Sequence, residues 1–336
     1  MQTGYLDACT QFHCAGWAVD GDPPAALELF INDQKVTDIG CDGDRPDLVP
    51  HGLPRMAGFS FVFRPPLHIS DVVDLRFQSG SSLLNSPSIG HRPRLELLLE
   101  GIAAGGKGLE LGPLYRPILG KRDYRVFYVD HASKAGLIEK YSLSEALSAV
   151  PAEDLADVDF VWNDRLRAVA GSGYAYCLAS HVIEHVADPI GWMGEIAEVL
   201  TPGGRLNLAI PEKMLTFDRH RSPSTPAAML EAHERKLRRP SFGQIFDHVS
   251  GVALIGQPEL DKLVAARNAY DVASAAELTG EYLDVHCNVW THESFLECWS
   301  VIRALDLVPF SLARLTPPLS GSNEFTVSFV RDDSTP

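Results

Sequence analysis

Residues 179–213, "ASHVIEHVADPIGWMGEIAEVLTPGGRLNLAIPEK", decide the fold class of this chain. The aromatic segment "YAYCLAS" (174–180) that leads into them has the composition of a strand. Asp188 and Pro189 then form a helix start, as N-cap and first helical residue, and the glycines of "TPGG" end that helix. "RLNLAIP" (205–211) is a second apolar strand. A strand, connector, helix and strand in this order indicate one unit of a parallel α/β sheet.

The same stretch contains His181, Glu184 and His185 in the string H-x-x-E-H, which is the zinc signature of one class of metalloprotease. A zinc site of that type needs both histidines on one face of a continuous helix. Here the string lies in the connector between a strand and a helix that starts only at Asp188. We therefore expect no metal site from it, and a zinc hydrolase remains a minor alternative that predicts bound zinc in the purified protein.

Composition and charge narrow the function classes. The chain has 336 residues, 45% hydrophobic and 22% charged, which is typical of a globular protein with about two domains. Its net charge of −15 repels phosphate backbones, so we expect no nucleic-acid partner. No apolar run reaches the roughly 18 residues of a membrane span, and the N-terminus lacks the pattern of a secretory signal. A cytoplasmic protein is the resulting expectation.

The sequence predicts two domains. Residues 1–88 hold short alternating runs separated by Pro, Gly and Asp, which favours a small β-sandwich-like domain. Residues 89–94 form the predicted linker. Residues 95–336 alternate strands and helices, which predicts a doubly wound, mostly parallel, Rossmann-like α/β sheet. Within them, residues 214–282 are polar, helical in pattern and punctuated by proline, and we expect an insertion or lid there.

The strands expected in the second domain share an apolar run of four to seven residues, at 107–112, 124–130, 157–163, 174–180 and 205–211, with a closing strand at 324–331. Short helices are expected at 95–104 and 295–307. Residues 113–123 alone join the first two strands, which is close to the minimum for a parallel crossover. A helix in that crossover can have one or two turns at most.

Four motifs in this order resemble the class I S-adenosylmethionine-dependent methyltransferase family. They are "GLELGP" (108–113), "FYVDHAS" (127–133), "ASHVIEHV" (179–186) and "LTPGGRLNLAIP" (200–211), and the resemblance covers about residues 105–213. It implies S-adenosylmethionine as cofactor, S-adenosylhomocysteine as product and methyl transfer as the reaction.

The physical demands of that cofactor fit three of these positions. Gly112 lets the backbone approach a ligand closely. Asp130 ends a strand, where a carboxylate can accept hydrogen bonds from both ribose hydroxyls. Glu110 can organise the turn and engage the ammonium group, directly or through water.

The remaining cofactor-binding candidates lie in the loops at the same sheet edge. They are Pro113 and His131, then Asn163 or Asp164 for the adenine amino group, and Ser180 and His181 near the methyl. The glycine-rich turn departs from the family pattern, with Leu114 and Arg116 where further glycines often stand. The acidic residue that usually opens the fourth strand is also missing. A non-catalytic scaffold or binding subunit of a glycan-assembly complex, with a vestigial cofactor site, is therefore the alternative.

The first domain offers a clue to the acceptor. "CAGWAVDGDPPAALELFINDQKV" (14–36), "DRPDL" (44–48) and "GFSFVF" (58–63) resemble small β domains attached to bacterial glycosyltransferases. This resemblance implies O-methylation of a sugar of a surface glycan, or of a related small polar metabolite, and a glycosyltransferase as a possible partner. A passive structural module is the alternative. The oligomeric state is not readable from the sequence.

Methyl transfer to a hydroxyl needs an aligned acceptor and a base for its proton. The candidate bases are His248, His286 and His292, with Asp247 or Asp284 to orient an imidazole. The candidate substrate-binding residues follow the last motif or lie near the C-terminus: Lys213, Arg219, Arg221 and His292.

Overall fold

The computed structural model describes residues 2–21, 24–141, 152–253 and 262–333. The chain divides into two compact units, Met1–Leu97 and Leu98–Pro336. The division falls beyond the predicted linker at 89–94, since a helix, α1 (Arg92–Leu98), begins inside that linker. This helix starts and ends earlier than the one expected at 95–104. Gly101, in the left-handed conformation with φ 71°, follows its end.

The first unit is built from two small antiparallel sheets. Its strands are β1 (Gln2–Cys9), β2 (His13–Asp20), β3 (Ala25–Ile31), β4 (Gln34–Cys41), β5 (Gly43–Asp44), β6 (Met56–Val62) and β7 (Val73–Phe77). One sheet has the order β1-β2-β6-β5 and the other β4-β3-β7. Leu27, Leu29 and Leu75 of the second sheet are fully buried in one cluster with Leu6 and Cys14 of the first. The predicted small β domain is confirmed.

Packing accounts for several motif residues of this unit. A side chain at Gly16 would overlap the carbonyl oxygen of Tyr5 on the adjacent strand, so only glycine fits there. In "DRPDL", the Arg45 guanidinium donates to Asp47 at 2.8 and 2.9 Å and to Asp7 at 2.6 Å. These contacts bind β1 to the loop before the short turn at 46–51.

The second unit contains one seven-stranded sheet. Its strands are β8 (Gly108–Leu111), β9 (Val126–Asp130), β10 (Phe160–Val161), β11 (Tyr174–Ser180), β12 (Leu200–Pro211), β13 (Phe310–Thr316) and β14 (Glu324–Arg331). The order is β10-β9-β8-β11-β12-β14-β13, and β14 alone runs antiparallel to its neighbours. The predicted doubly wound, mostly parallel, Rossmann-like sheet is confirmed. Strand β13 was not predicted.

The second unit also contains the helices α2 (Lys134–Tyr141), α3 (Leu166–Ala170), α4 (Pro189–Val199), α5 (Pro226–Glu234), α6 (Phe242–Val252), α7 (Lys262–Thr279) and α8 (His292–Ala304). The segment expected as a lid, 214–282, holds α5, α6 and α7, and its residues 254–261 lie outside the described ones. None of the described helices is both long and apolar enough to cross a membrane.

The decisive stretch folds as expected. The Asp188 side chain accepts the backbone N–H of Gly191 at 2.8 Å, which makes it the N-cap of α4, and Pro189 is the first helical residue. The residues Ile183–His185 form a separate 3-10 turn between β11 and α4. His181 and His185 therefore share no helix, as the sequence predicts.

The crossover between β8 and β9 is shorter in regular structure than expected. Residues 112–125 contain turns and no helix. Gly112 and Leu114 both adopt left-handed backbone conformations, with φ 60° and 46°, and Pro113 lies between them. A helix cannot propagate through this sequence of conformations.

Gly108 provides a test of the sheet packing. A Cβ at Gly108 would overlap the ring of Tyr176 on β11, which is 1% exposed and cannot move away. We expect Gly108→Ala to lower the free energy of unfolding by at least about 2 kcal/mol, the range of an overpacked core. Gly105→Ala is the matched control, because nothing lies within 4 Å of a Cβ at that position.

Urea unfolding followed by tryptophan fluorescence measures the effect, because four of the five tryptophans lie in the second unit. The control should change the unfolding free energy by less than about 0.5 kcal/mol. Equal stabilities of the two variants would contradict this packing.

Candidate functional site

The carboxyl ends of β8, β9 and β11 meet where the sheet reverses its winding. Strand β8 is paired on one side with β9 and on the other with β11, so that Leu111 lies opposite both Val129 and Ala179. Gly112, Asp130 and Ser180 are the next residues of these three neighbouring strands. Open α/β sheets bind ligands at this kind of switch point.

Glu110 organises the loop that leaves β8. Its side chain is buried, 2% exposed, and its two oxygens accept the backbone N–H groups of Ile118 and Leu119 at 2.7 and 2.9 Å. These bonds fold the loop back over the end of the strand. Gly112 is required in this loop, because its φ is positive and a Cβ would lie 2.8 Å from a methyl of Val182. Leu114 adopts its left-handed conformation although it has a side chain.

Asp130 ends β9 with its carboxylate buried in the loop. Its Oδ1 accepts the backbone N–H of His131 at 2.7 Å and lies 2.7 Å from His131 Nδ1. The His131 ring stacks on Tyr282, and its Nε2 lies 3.2 Å from the Lys140 ammonium. Asp130 and His131 thus form the rim of the crevice nearest the segment that follows α7.

Asn163 and Asp164 follow β10 and are exposed. The backbone oxygen of Asp164 accepts a hydrogen bond from Arg238, whose guanidinium also pairs with the buried Glu195 at 2.6 Å. Arg238, one of the basic residues of "ERKLRRP" (234–240), therefore has a structural role.

His181 has its hydrogen-bond partner outside the sequence string that suggests zinc. Its backbone is left-handed, with φ 55°, and its Nε2 lies 2.8 Å from the Glu324 carboxylate of β14. The other two residues of the string, Glu184 and His185, meet a histidine from a distant segment instead.

Glu184, His185 and His286 form a cluster whose nitrogen and oxygen ligand atoms all lie within 4.8 Å of one another. Asp284 Oδ1 lies 2.9 Å from His185 Nδ1, and Asp218 Oδ2 lies 2.6 Å from His286 Nδ1. Nδ1 of each imidazole thus lies beside a carboxylate, in a hydrogen bond for His286 and at ion-pair distance for His185, and Nε2 is left for other partners. The two rings make an edge-to-face contact, with centroids 4.7 Å apart.

The charges of this cluster are set by its partners. Burial would lower the pKa of His185, but the bond to Asp284 and the charge of Glu184 raise it above its ordinary value. Burial would raise the pKa of Asp284, yet the bond to His185 and the nearby Lys140 hold it well below its usual range. Burial opposes ionisation of Asp218 as well, but His286 and Arg221 lower its pKa. Asp218 and Asp284 are therefore carboxylates at neutral pH.

His248 does not have the expected geometry of a base. Its Nδ1 accepts the backbone N–H of His286 at 3.2 Å, which leaves the proton of a neutral ring on Nε2. Burial, helped by the charge of Arg221, lowers its pKa to about 4. The prediction that Asp247 orients an imidazole is wrong, because its carboxylate pairs with the Arg221 guanidinium at 2.7 Å. Asp284, the other carboxylate predicted for this role, lies beside His185, and Asp218 takes the place of Asp247 at His286.

Two of the predicted substrate-binding residues are structural. Lys213 is buried, and its ammonium donates to the backbone oxygen of Arg219 at 3.1 Å. The Arg221 side chain is 1% exposed and is held by Asp218 and by the backbone oxygen of His286. Burial excludes both from contact with a substrate in this conformation.

The other two predicted substrate residues remain accessible. Arg219 is exposed on the loop after β12. His292 begins α8, where its Nδ1 lies 3.0 Å from Glu212 and its Nε2 3.0 Å from Glu293. Neither is brought into the cluster.

A cavity of about 580 Å³ lies between α5 and α6. Its volume falls in the range of small-molecule sites. Asp247 and Cys287, which neighbour His248 and His286 in the chain, belong to its wall. The rest of its polar lining includes Ser224, Thr225, Glu231, Arg235, Gln244 and Asn288.

Sequence comparisons give no family: no protein-family model and no curated protein matches the chain. Among solved structures, a structure described as a Zn-dependent alcohol dehydrogenase from Rhodobacter sphaeroides is 13% identical, over 71% of this chain and 89% of that one, with a TM-score of 0.38. An S-adenosylmethionine-dependent methyltransferase from Mesorhizobium loti is 15% identical, over 71% of this chain and 97% of its own, with a TM-score of 0.34. A Haloferax volcanii methyltransferase solved with its Trm112 activator is 12% identical, over 72% and 89%, also at 0.34. These matches do not establish what this chain binds.

Glu110 allows a test of the loop geometry. Glu110→Gln keeps the shape of the side chain but turns one accepting oxygen into an NH₂ donor that faces a backbone N–H. We expect the free energy of unfolding to fall by about 1–3 kcal/mol, the cost of an unsatisfied buried donor. Deuterium exchange at the amides of Ile118 and Leu119 should become faster. Glu96→Gln, at an exposed position of α1, is the matched control. Unchanged exchange in the Glu110 variant would contradict the role of these two bonds.

Proposed function

We propose that this chain is an S-adenosylmethionine-dependent methyltransferase. The observation that carries the proposal is the strand register that sets Gly112, Asp130 and Ser180 side by side at the switch point of the sheet. The motifs that resemble the methyltransferase family thereby converge on one crevice.

The residues of this crevice suit the proposed cofactor. The carboxylate of Asp130 lies at the end of β9, where it can accept hydrogen bonds from ribose hydroxyls. Glu110 uses its carboxylate to hold the loop, so Gly112 and Pro113 present backbone of fixed shape to a ligand. S-adenosylmethionine supplies an electrophilic methyl group on its sulfonium. Ser180, His181, Asn163 and Asp164 complete the proposed contacts along the strand ends.

The proposed acceptor is a hydroxyl of a sugar or of a related small polar metabolite. Two features of the structure support it: the polar lining of the cavity between α5 and α6, and the carboxylate-oriented imidazoles beside it. The hydroxyl oxygen forms the new bond to the methyl carbon while the bond from that carbon to sulfur breaks. Its proton needs an acceptor in the same place.

His286 is the better candidate than His248 for receiving that proton. Its Nδ1 is bonded to Asp218, which leaves Nε2 with a lone pair and stabilises the imidazolium once it forms. His248 already uses its accepting nitrogen for a backbone N–H.

The role of the first unit in holding a glycan or a glycosyltransferase partner is part of the same proposal. Its support is the sequence resemblance alone, since Gly16, Arg45 and Asp47 have packing roles. One observation favours the scaffold alternative: Leu114 stands in the turn where a glycine would leave more room for a ligand. Cofactor binding separates the two functions.

Calorimetry with S-adenosylhomocysteine tests the cofactor site. We expect the wild type to bind it and Asp130→Asn to bind at least ten-fold more weakly, because a charged acceptor of two hydroxyls is worth more than about 1.4 kcal/mol. Asp271→Asn, on the exposed face of α7, should bind like the wild type. A folded wild type that binds nothing would refute the methyltransferase and favour the scaffold.

Turnover tests the imidazole cluster. With an acceptor found by screening sugars and S-adenosylmethionine for release of S-adenosylhomocysteine, His286→Gln should lower kcat at least ten-fold. His220→Gln, on the exposed loop before Arg221, is the control and should keep its rate. Equal rates in both variants would refute acceptor activation at the cluster.

A further inference from the structure

Glu184 is the most unusual polar side chain of the second unit. It is 2% exposed, yet neither of its carboxylate oxygens has a hydrogen-bond partner among the described residues. The nearest cationic or titratable nitrogens are Nδ1 of His181 at 3.7 Å and Nε2 of His185 at 4.0 Å, both beyond hydrogen-bond distance. A buried ionised carboxylate without hydrogen bonds costs several kcal/mol, so a missing positive partner is the natural explanation.

His185 and His286 each have a carboxylate beside Nδ1, as metal-bound histidines often do. A ligating imidazole usually donates its second ring N–H to a carboxylate, which fixes the tautomer and the ring orientation. His286 has this arrangement, because its Nδ1 is hydrogen-bonded to Asp218. His185 has it in part: its Nδ1 lies at ion-pair distance from Asp284, 2.9 Å, and its Nε2 lies 4.0 Å from Glu184 Oε1.

The outer carboxylates are themselves held in place. Arg221 pairs with Asp218 at 2.7 Å, and the Lys140 ammonium donates to Asp284 at 3.1 Å. The Tyr141 hydroxyl donates to the same Asp284 oxygen at 3.2 Å. Protein side chains therefore hold both carboxylates, and through them both imidazoles, whether or not a metal ion is bound.

We propose that Glu184, His185 and His286 bind a divalent first-row transition-metal cation, with zinc as the best match. Two imidazole nitrogens and one carboxylate are the ligand set of open zinc sites, which keep a position for water or substrate. Donors on one tetrahedral zinc ion lie about 3.4 Å apart when the bonds are about 2.1 Å long. The present limit of 4.8 Å therefore requires the ligand atoms to close in by at most about 1.4 Å. The site differs from the zinc string of the sequence, because His181 is replaced by His286.

The charges around the site agree with a dication. Three carboxylates lie at the cluster, those of Glu184, Asp218 and Asp284, and the permanent cations Arg221 and Lys140 pair with the last two. A bound cation would supply the positive charge that Glu184 lacks. The competing explanation for the buried Glu184 carboxylate is an imidazolium at His185, protonated on both ring nitrogens, which would compensate the charges of Glu184 and Asp284.

Under the proposed function, on which this role alone rests, a bound ion would hold the acceptor hydroxyl at its open position and replace His286 as the activating group. Its positive charge would favour loss of the hydroxyl proton to water, because a metal-bound Nε2 of His286 has no lone pair left for that proton. The oxygen then forms a bond to the methyl carbon, and the electrons of the carbon–sulfur bond remain on sulfur as S-adenosylhomocysteine.

Metal binding is measured without any assay of turnover. The untagged full chain is treated with a chelator, dialysed and titrated with Zn²⁺ by calorimetry, and then with Mn²⁺. We expect one equivalent of Zn²⁺ to bind the wild type, and Glu184→Gln to weaken binding at least ten-fold. His220→Gln, an exposed histidine outside the cluster, should bind like the wild type. Absence of stoichiometric binding, or equal binding by wild type and Glu184→Gln, would overturn the proposal.

Thermal unfolding of the same proteins separates the two explanations of Glu184. Without metal, Glu184→Gln removes an uncompensated buried charge, so its Tm should equal or exceed that of the wild type. With Zn²⁺, the Tm of the wild type should rise and that of Glu184→Gln should not. If His185 is an imidazolium bound to Glu184, the metal-free variant loses stability and Zn²⁺ raises neither Tm, which overturns the metal site.

The outcome is independent of the cofactor experiment. Zinc binding without S-adenosylhomocysteine binding would keep the metal site and refute the methyltransferase. Binding of S-adenosylhomocysteine without zinc would do the reverse.

Discussion

One buried guanidinium holds the candidate site together. The Arg221 side chain donates to Asp218, to Asp247 and to the backbone oxygen of His286, which belong to the turn after β12, to α6 and to the segment after α7. Only the planar fork of arginine can serve three acceptors in these directions at once. Asp218 in turn fixes the His286 ring. The helix that passes this arginine has Gly251 at the contact, where a Cβ would overlap the Arg221 side chain.

The second unit separates stability from chemistry along its sheet. Apolar side chains of β11, β12, β14, α4 and α8 form one continuous core, with residues such as Leu206, Leu208 and Phe329 fully buried. The polar groups lie at the strand ends and in the loops that follow them. The free-energy cost of burying Glu184, Asp218 and Asp130 is offset by the apolar core. Local violations of the rule that buried polar groups are satisfied are expected where a protein binds something.

The fold is predictable from patterns within short segments of the sequence. Much of the site is not, because its contacts join segments that are distant in the chain. Asp188 and Pro189 start a helix through contacts within one turn, so the sequence is enough to place them. Residues that directly follow strands, such as Asp130, are also placed by local sequence once the sheet is known. Whether a charged side chain meets solvent or a buried partner depends on distant segments, and this is why Lys213 and Arg221 were misassigned to substrate.

The same limit applies to the cluster. The string H-x-x-E-H drew attention to Glu184 and His185, but their third partner, His286, is about one hundred residues away in the chain. Nothing in the local sequence around Asp218 indicates that its carboxylate orients His286. The sequence correctly predicts that His181 and His185 share no helix. It does not predict that His286 lies beside Glu184 and His185.

The loop after β8 has a consequence for the kinetics of ligand capture. Its sequence, "GPLYRPILG", replaces most of the expected glycines with residues that have side chains and with two prolines, and Glu110 fastens it at Ile118 and Leu119. Such a chain has few conformations to lose when it becomes ordered. The loop therefore has its final conformation before a ligand binds, so association does not require a loop-closing step. Little of the binding free energy is lost to ordering the backbone.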